Sequence, residues 1–407
     1  MIDSMHPSRR SNPDGKFLYV RTGDWFFGAM LFIAAIATYT PLFFYASPIP
    51  PNYLFLFLCV FVFVFRLSQA KIPAAAIYVS GFSIFFCTVS SIYWRDLDLI
   101  LLSTYFITSV FLAVSLGKST IDAFLTISSW VLAGAVIGAI VGLVYALVGG
   151  GPTFQFENPD GRQAYVYLST ITNSVVGNTI RPAGFFDEPG TFSFVLCFVC
   201  AMRQRRLMDS RMTWFLLLGG FSSLSFAHGF YVALHALSTR DLRLNSLAIV
   251  GVCLLGPLIL FPQFLDAISE RLFSRYAIVD GRFAGDSRGE LIENAWNYLN
   301  WESFLWGMDP TCFVKGEACT TEYLSFGENP FSLLVAYGVF ISWPYYGLLI
   351  ALVASSVRNR SFIPIALCLL MMQRPNALGY GFSLLVLLAV VCFIKKVPGQ
   401  SQQTIRL

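Results

Sequence analysis

Residues 121–149, IDAFLTISSWVLAGAVIGAIVGLVYALVG, contain a single charged side chain, Asp122, which stands at the start of the run. A helix needs about 20 consecutive apolar residues to cross the hydrocarbon core of a bilayer. This run is longer than that and contains no proline, so it predicts a transmembrane helix.

The composition extends this prediction to the whole chain. Of the 407 residues, 56% are hydrophobic and 12% are charged, and the mean hydropathy is +0.66. Soluble domains carry about 25% charged residues, so we expect residues 1–407 to form a single integral membrane domain. The composition excludes a disordered chain, a secreted disulfide scaffold and a protein that binds nucleic acid through a basic surface.

Apolar runs recur along the chain and predict an all-α polytopic membrane protein with about 12 transmembrane helices. The pieces at 212–226 and 229–238 are short, and they predict either two spans that meet in a tight turn or one broken helix. The runs lie near 25–45, 52–67, 74–93, 97–116, 121–149, 190–202, 212–226, 229–238, 245–262, 331–355, 361–372 and 380–394.

The positions of the basic residues predict how these spans are oriented across the membrane. When the N-terminus is placed in the cytoplasm, most arginines and lysines, including the stretch RQRR at 203–206, fall in inner segments. Cytoplasmic loops of membrane proteins are enriched in Lys and Arg, so we expect both termini to be cytoplasmic. Two large extracytoplasmic loops follow from this topology, at 150–189 and at 263–329, and membrane lipids surround the spans.

The second outer loop is expected to contain amphipathic helices. Ser287 and Glu290 have the spacing of a capping box, which closes the first turn of a helix. Three tryptophans follow, and they indicate a stretch that lies on the membrane surface or covers a cavity. These tryptophans are Trp296, Trp301 and Trp306.

The cysteines predict no metal site. Most of the nine lie in apolar runs, where a thiol is usually a small core residue. Cys197 and Cys200 have C-x-x-C spacing, but no second pair or histidine accompanies them in their run. Cys312 and Cys319 instead lie in a polar stretch, and on the extracytoplasmic side we expect them to form a disulfide.

The motif R-P-A-G-F-F-D-E-P at 181–189 ends the first outer loop and leads directly into a span. An arginine and two acids at a membrane boundary, with two prolines, predict a rigid polar site. The alternative is an interfacial anchor with a proline in the first helical turn, where proline is favoured. In both interpretations Asp187 and Glu188 stand near a helix N-terminus, which favours negative charge.

Arginine is the dominant cation of the expected outer face, and three arginines are candidate phosphate ligands: Arg181, Arg288 and Arg374. Guanidinium groups bind phosphate oxygens in a bidentate way that lysine cannot match. Arg374 is alone in a short turn between two apolar spans, a costly position unless it finds an anion or carbonyl groups. The alternatives are a solvated helix charge for Arg288 and a snorkelling side chain for Arg374.

These motifs resemble those of bacterial O-antigen and exopolysaccharide polymerases of the Wzy type, within the superfamily that includes the O-antigen ligases. The stretch at 181–189 is similar to the family signature Arg-x-x-Gly-x-Phe-x-(Glu/x)-Pro. Glu328 and Asn329 are similar to its (His/Asp)-Asn segment that enters a span. The resemblance covers roughly 180–345 and implies the GT-C-like ligase/polymerase fold. Ligases typically have His where this chain has Glu328, which favours a polymerase.

The resemblance implies an enzyme that polymerises polyprenyl-pyrophosphate-linked oligosaccharide repeat units at the periplasmic face of the bacterial inner membrane. The glycosyl transfer would be inverting and would use neither a metal nor another cofactor. A chain-length regulator and a flippase are implied partners. The alternatives are a ligase that moves polysaccharide onto a lipid core and a transporter of lipid-linked sugars.

The resemblance also implies roles for individual residues. The donor pyrophosphate would be held by the three arginines together with Gly184 and Asn329. Activating the sugar hydroxyl calls for a carboxylate within hydrogen-bond reach, and the candidates are Glu328 and Glu188. Trp296, Trp301 and Trp306 would either stack on sugar rings or pack at the membrane interface.

Overall fold

The computed structural model describes residues 22–66, 72–158, 162–176, 179–239, 278–279, 282–283, 287–308, 329–375 and 380–395, and most of them are helical. The helices are α1 (Thr22–Ala37), α2 (Pro41–Ala46), α3 (Pro51–Arg66), α4 (Ala74–Trp94), α5 (Asp98–Ser115), α6 (Lys118–Leu147), α7 (Pro189–Arg205), α8 (Ser210–Gly219), α9 (Phe226–Ser238), α10 (Ser287–Asn297), α11 (Trp301–Trp306), α12 (Ser332–Asn359), α13 (Ile363–Gln373) and α14 (Tyr380–Ile394).

Four helices in the described part of the chain are long and apolar enough to cross a membrane: α4, α5, α6 and α12. Helices α1, α3, α13 and α14 are apolar but shorter. This architecture fits a polytopic membrane protein, as the apolar runs predict. A total of about 12 spans stays a prediction, and the run at 245–262 lies outside the described residues.

The first apolar run, predicted as one span over 25–45, is divided in two. Helix α1 ends at Ala37 and α2 begins at Pro41, with Thr40 in an extended conformation between them (φ −111°, ψ 108°). Proline disfavours helical backbone at the residue before it and suits the first position of a new helix. Pro41 therefore explains where the run breaks.

The two short pieces at 212–238 pack side by side. The ring of Trp214 in α8 lies 5.7 Å from that of His235 in α9, and His228 Nε2 lies 2.7 Å from the Leu217 carbonyl oxygen. These pairings are antiparallel, so two helices meet in a turn, which contains a short 3-10 helix at Gly220–Ser223. At 1.5 Å per residue each helix measures roughly 15–20 Å, which is shorter than the hydrocarbon core of about 30 Å.

The prediction of an all-α chain needs correction in the first outer segment. Strands β1 (Phe154–Glu157), β2 (Gln163–Tyr167) and β3 (Thr170–Thr172) form an antiparallel sheet, and β4 (Val175–Val176) pairs with β5 (Thr179–Ile180). The segment is rich in the aromatic and β-branched residues that favour strands. A further short pair joins β6 (Ile278–Val279) and β7 (Arg282–Phe283).

The sheet rests on α6, and the motif at 181–189 rests on the sheet. Ser169 Oγ donates a hydrogen bond of 2.8 Å to the carbonyl of Gly138 in α6. Ala183 N–H donates to the Ile171 carbonyl at 2.8 Å, and Ile171 N–H donates to the Gly184 carbonyl at 2.7 Å. Helix α6 thereby positions the segment that leads into α7.

Ion pairs lie at the two opposite ends of the helix bundle. Asp122 at the start of α6 pairs with Arg206 at the end of α7 at 2.8 Å. Glu188, directly before α7, pairs with Arg374, directly after α13. We call these the Asp122 end and the Glu188 end. The apolar core, including buried Phe192, lies between them.

Helix α12 is interrupted at Gly338, which has φ +68° and ψ 174°. The backbone of α11 fills the interruption, because Gly307 (φ +83°) follows α11 and lies against Gly338. Met308 N–H donates a 2.7 Å hydrogen bond to the Val335 carbonyl beside the break. A side chain on either glycine would meet the other segment's backbone.

Candidate functional site

The ion pair between Glu188 and Arg374 is the centre of the candidate site. Pro189 begins α7 as the sequence predicts, and Glu188 is the residue that precedes the helix. Arg374 also donates to Thr191 Oγ1 at 3.4 Å, and Thr191 Oγ1 donates to Glu188 Oε1 at 3.4 Å. Arg374 therefore finds the anion that its isolated position between apolar runs requires.

Gly190 provides the space for the Arg374 guanidinium. A Cβ atom at position 190 would collide with that group. The side chain of Arg374 is only 14% exposed, so its cation is held close to the α7 backbone. This packing fixes the position of the guanidinium before any ligand arrives.

A second arginine, Arg162, reaches the same carboxylate from the first outer segment. Its Nη1 lies 3.1 Å from Glu188 Oε2, and its side chain is 52% exposed. No sequence motif surrounds Arg162, so the sequence alone does not indicate this role. The pairing depends on how the segment at 162–176 folds back toward α7.

Asp187 lies beside this cluster in a different environment. Its backbone N–H donates a 2.9 Å hydrogen bond to the Tyr39 carbonyl in the break between α1 and α2. The Oδ1 atom is buried and has no hydrogen-bond partner among the described residues. Burial, followed by the negative charge of Glu188, raises the pKa of Asp187 to about 7.

Glu188 has the opposite tendency although it is the next residue. Burial would raise the pKa of its carboxyl group, but the charges and hydrogen bonds of Arg374 and Arg162 outweigh burial and hold that pKa below its usual range. Glu188 is therefore ionised near neutral pH. One carboxylate is held between two guanidinium groups, and its neighbour binds a proton readily.

The Arg181–Gly184 part of the motif is fastened to the sheet. Arg181 N–H donates to the Ser174 carbonyl at 3.1 Å, and Gly184 N–H donates to Thr170 Oγ1 at 2.9 Å. Arg181 Nε donates to the carbonyl of Ser223 at 3.4 Å, in the turn between α8 and α9. The structure thus brings Arg181 to that turn and brings Arg374 to Glu188.

Asn329 connects α10, in the second outer segment, to the start of α12. Its Nδ2 donates to the Leu291 carbonyl in α10 at 3.3 Å, and its Oδ1 accepts from Phe331 N–H at 2.8 Å. The residue is fully buried. Asn329 therefore orients the entry into α12.

Several predicted site residues lie wholly or partly outside the described residues. Helix α10 occupies Ser287–Asn297, where the sequence predicts a helix, and it includes Arg288. The side chain of Arg288 is outside the described part, as are Glu328, Cys312 and Cys319. Their roles stay predictions.

The three tryptophans differ in their surroundings. Trp306 stacks on Tyr93 with ring centroids 4.6 Å apart, and its carbonyl accepts a 2.9 Å hydrogen bond from Trp94 Nε1. Trp296 is 64% exposed and Trp301 is 75% exposed. Trp306 is thus engaged in packing, whereas the other two present open ring surface.

Histidines and cysteines in the bundle pack against one another. His228 is buried, and its Nδ1 lies 3.5 Å from Cys197 Sγ. Within the described residues, no group of three or more His, Cys, Asp or Glu side chains could hold a metal ion. The Glu188 end presents two guanidinium groups and two carboxyl groups, which can bind an anion and exchange a proton.

No protein-family model matches the chain, and neither the curated proteins nor the solved structures include one that matches it.

Proposed function

We propose that this chain is a membrane glycosyltransferase that polymerises polyprenyl-pyrophosphate-linked oligosaccharide repeat units. The observation that supports it best is the convergence of Arg374 and Arg162 on Glu188, beside Asp187, at the point where α7 begins. Fixed guanidinium groups suit a pyrophosphate leaving group, and an adjacent carboxyl group suits activation of a hydroxyl.

The donor in this proposal is a saccharide chain on polyprenyl pyrophosphate. A hydroxyl group of a second lipid-linked unit attacks the anomeric carbon and inverts it, and polyprenyl pyrophosphate leaves. Arg374, Arg181 and Arg288 stabilise the charge of the leaving group. Preorganised cations are effective here because they need no reorganisation during the reaction.

Glu328 and Glu188 are the bases that the resemblance and the sequence select. Gly184 and Asn329 shape the donor site in this proposal, and Trp296 and Trp301 offer ring surface to the sugars. Stacking on exposed aromatic rings fits neutral saccharides, which present apolar faces. Trp306 packs against Tyr93 and Trp94 instead.

The proposed topology has about 12 spans, cytoplasmic termini and an active face on the periplasmic side of the bacterial inner membrane. The distribution of cations supports it, because Arg203, Arg205, Arg206 and Arg358 gather near the Asp122 end together with Lys395. A cytoplasmic Asp122 end obeys the enrichment of basic residues on that side. The Glu188 end then faces the periplasm, where a flippase delivers repeat units and a chain-length regulator acts.

The test is to supply purified protein in proteoliposomes with lipid-linked single repeat units. A polymerase produces a ladder of chain lengths without a lipid-core acceptor. A ligase produces transfer only when that acceptor is added. The absence of any ladder from folded protein contradicts the proposal.

A second candidate function, transport of lipid-linked sugars, has support of its own. The short α8–α9 hairpin and the interruption of α12 at Gly338 resemble the discontinuous helices of transporters. A transporter moves a fluorescent lipid-linked sugar between leaflets without lengthening it. The same proteoliposomes can measure both activities.

A further inference from the structure

Asp187 and Glu188 are neighbours in sequence, but their carboxyl groups have different surroundings. Both oxygens of Glu188 are engaged by arginine, because Oε1 pairs with Arg374 and Oε2 with Arg162. Oδ1 of Asp187 is buried and has no hydrogen-bond partner among the described residues. Neighbouring carboxyl groups with such different environments are suited to different tasks in acid–base chemistry.

We infer that Asp187, rather than Glu188 or Glu328, accepts the proton of the attacking sugar hydroxyl. Glu188 stays ionised and anchors the two arginines. This inference rests on the proposed function, because it assigns a role within that same reaction. It deepens the proposal by separating the carboxylate that organises the cations from the one that exchanges a proton.

The groups around Asp187 agree with this assignment. Glu188, Arg374 and Arg162 are the charged groups that act on it, and the hydroxyl of Thr191 is a neighbouring polar group that lowers its pKa. The backbone of Asp187 is fixed to the Tyr39 carbonyl at 2.9 Å. Asp187 as a whole is partly exposed, although its Oδ1 atom is buried. With a pKa of about 7, its carboxyl group is poised to exchange a proton near neutral pH, which is the condition for efficient base catalysis.

The step balances without another reactant. The hydroxyl oxygen of the acceptor forms a bond to the anomeric carbon, and its proton passes to the Asp187 carboxylate. The bond between the anomeric carbon and the pyrophosphate oxygen breaks, and its electron pair leaves with polyprenyl pyrophosphate. The guanidinium groups of Arg374 and Arg162 meet that charge, and Asp187 later releases the proton to water.

The experiment compares wild type, Asp187→Asn and Asp98→Asn in proteoliposomes with lipid-linked single repeats, from pH 5 to 9. Asp98 is an exposed carboxylate in the first turn of α5, so its replacement is a chemically matched control. Binding of undecaprenyl pyrophosphate to each variant is measured in parallel. An infrared titration of the protonated carboxyl band reports Asp187 without relying on turnover.

We expect the wild-type rate to rise with pH toward a plateau above about pH 7, where Asp187 is ionised and can act as a base. Asp187→Asn should lose about 100-fold or more in rate, keep undecaprenyl pyrophosphate binding within about threefold of wild type, and lack the carboxyl band that titrates near neutral pH. Asp98→Asn should behave like wild type. A ladder from Asp187→Asn at a near-wild-type rate overturns the role of Asp187 and leaves the proposed function intact. A wild-type protein that makes no ladder overturns both.

Discussion

The guanidinium group of Arg374 is paired with the carboxylate of Glu188, and this contact joins the end of α13 to the start of α7. The two residues are far apart in sequence and nearly enclosed in the fold. Arg162 completes the cluster from the side of the sheet. Three separate parts of the chain therefore meet at one carboxylate.

The two arginines at Glu188 should differ in their effect on stability. Replacing enclosed Arg374 with Gln leaves a partly buried carboxylate without its closest cation, and such a loss costs about 3 kcal/mol. Replacing Arg162, which is half exposed, should cost about 0.5 kcal/mol. Unfolding by SDS in mixed micelles measures both free energies. Equal losses of unfolding free energy for the two variants would show that burial does not determine how much each arginine stabilises the fold.

Gly190→Ala should displace the Arg374 guanidinium, because a Cβ atom would occupy its place. The side chain can move aside, so the expected loss is mainly in binding of undecaprenyl pyrophosphate and in polymerisation. Gly134→Ala in α6 is a matched control, since a Cβ atom there meets no neighbour within 4 Å. When Arg374 is already replaced by Gln, Gly190→Ala should cause little further loss of binding or polymerisation. If the losses of the two variants add in this double-mutant cycle, Gly190→Ala does not act by displacing Arg374.

Stability should depend on pH through Asp187. Its folded pKa of about 7 exceeds the value of roughly 3.9 for an unfolded aspartate. Below pH 4 both states hold the proton. Between about pH 4 and 7 the unfolded state loses the proton first, so this group's contribution to stability falls as the pH rises.

Asp187→Asn removes that dependence. Relative to wild type, its thermal midpoint should therefore rise between pH 5 and 8. Glu188→Gln should instead lower the midpoint by a constant amount over pH 5–8, because the pKa of Glu188 is lowered and its ionised form stabilises the fold throughout that range. The difference from wild type should shrink only below about pH 4, where the glutamate takes up its proton. Thermal denaturation in detergent at a series of pH values measures both effects. A difference between Asp187→Asn and wild type that does not change with pH would contradict the raised pKa.

Gly338→Ala should destabilise α12. The backbone at Gly338 has a conformation that is nearly restricted to glycine, and its cost for another residue is about 1–3 kcal/mol. The added Cβ atom would also strike the backbone of Gly307 and Leu305. Gly347→Ala, later in the same helix and in open space, should instead stabilise by about 1 kcal/mol. Unfolding by SDS measures the free energy of both variants. If Gly338→Ala does not change the free energy of unfolding, the interruption of α12 is not required for stability.

The helices could be predicted from sequence wherever burial in a membrane dictates composition. The run at 121–149 is a helix because an apolar segment of that length has few other ways to satisfy its backbone in lipid. The strands at 154–180 are not predicted because they lie outside such a run, where strand pairing depends on long-range contacts. The break before Pro41 could have been recognised from the effect of proline on its predecessor.

The position of the candidate site in the chain could be predicted from the sequence, but the contacts between its residues could not. The motif at 181–189 identifies the entry to α7, and the isolation of Arg374 indicates that it needs an anion. Nothing in the sequence pairs Arg374 with Glu188 or brings Arg162 to the same carboxylate. Those contacts arise from the packing of α7 against α13 and from the fold of the sheet. The distinction between Asp187 and Glu188 likewise depends on burial that only the three-dimensional structure provides.

The length of α6 fixes where the three-stranded sheet is attached to the helix bundle. Its 30 residues extend about 45 Å at 1.5 Å per residue, and the Ser169–Gly138 hydrogen bond attaches the sheet at a defined distance along it. One residue inserted between Asp122 and Gly138 would rotate the attachment point by about 100°. Seven inserted residues would return the attachment point to nearly the same side of the helix and move it about 10 Å along the helix axis. The number of residues between Asp122 and Gly138 therefore sets how far along the α6 axis, and on which side of α6, the segment that carries Asp187 and Glu188 is attached.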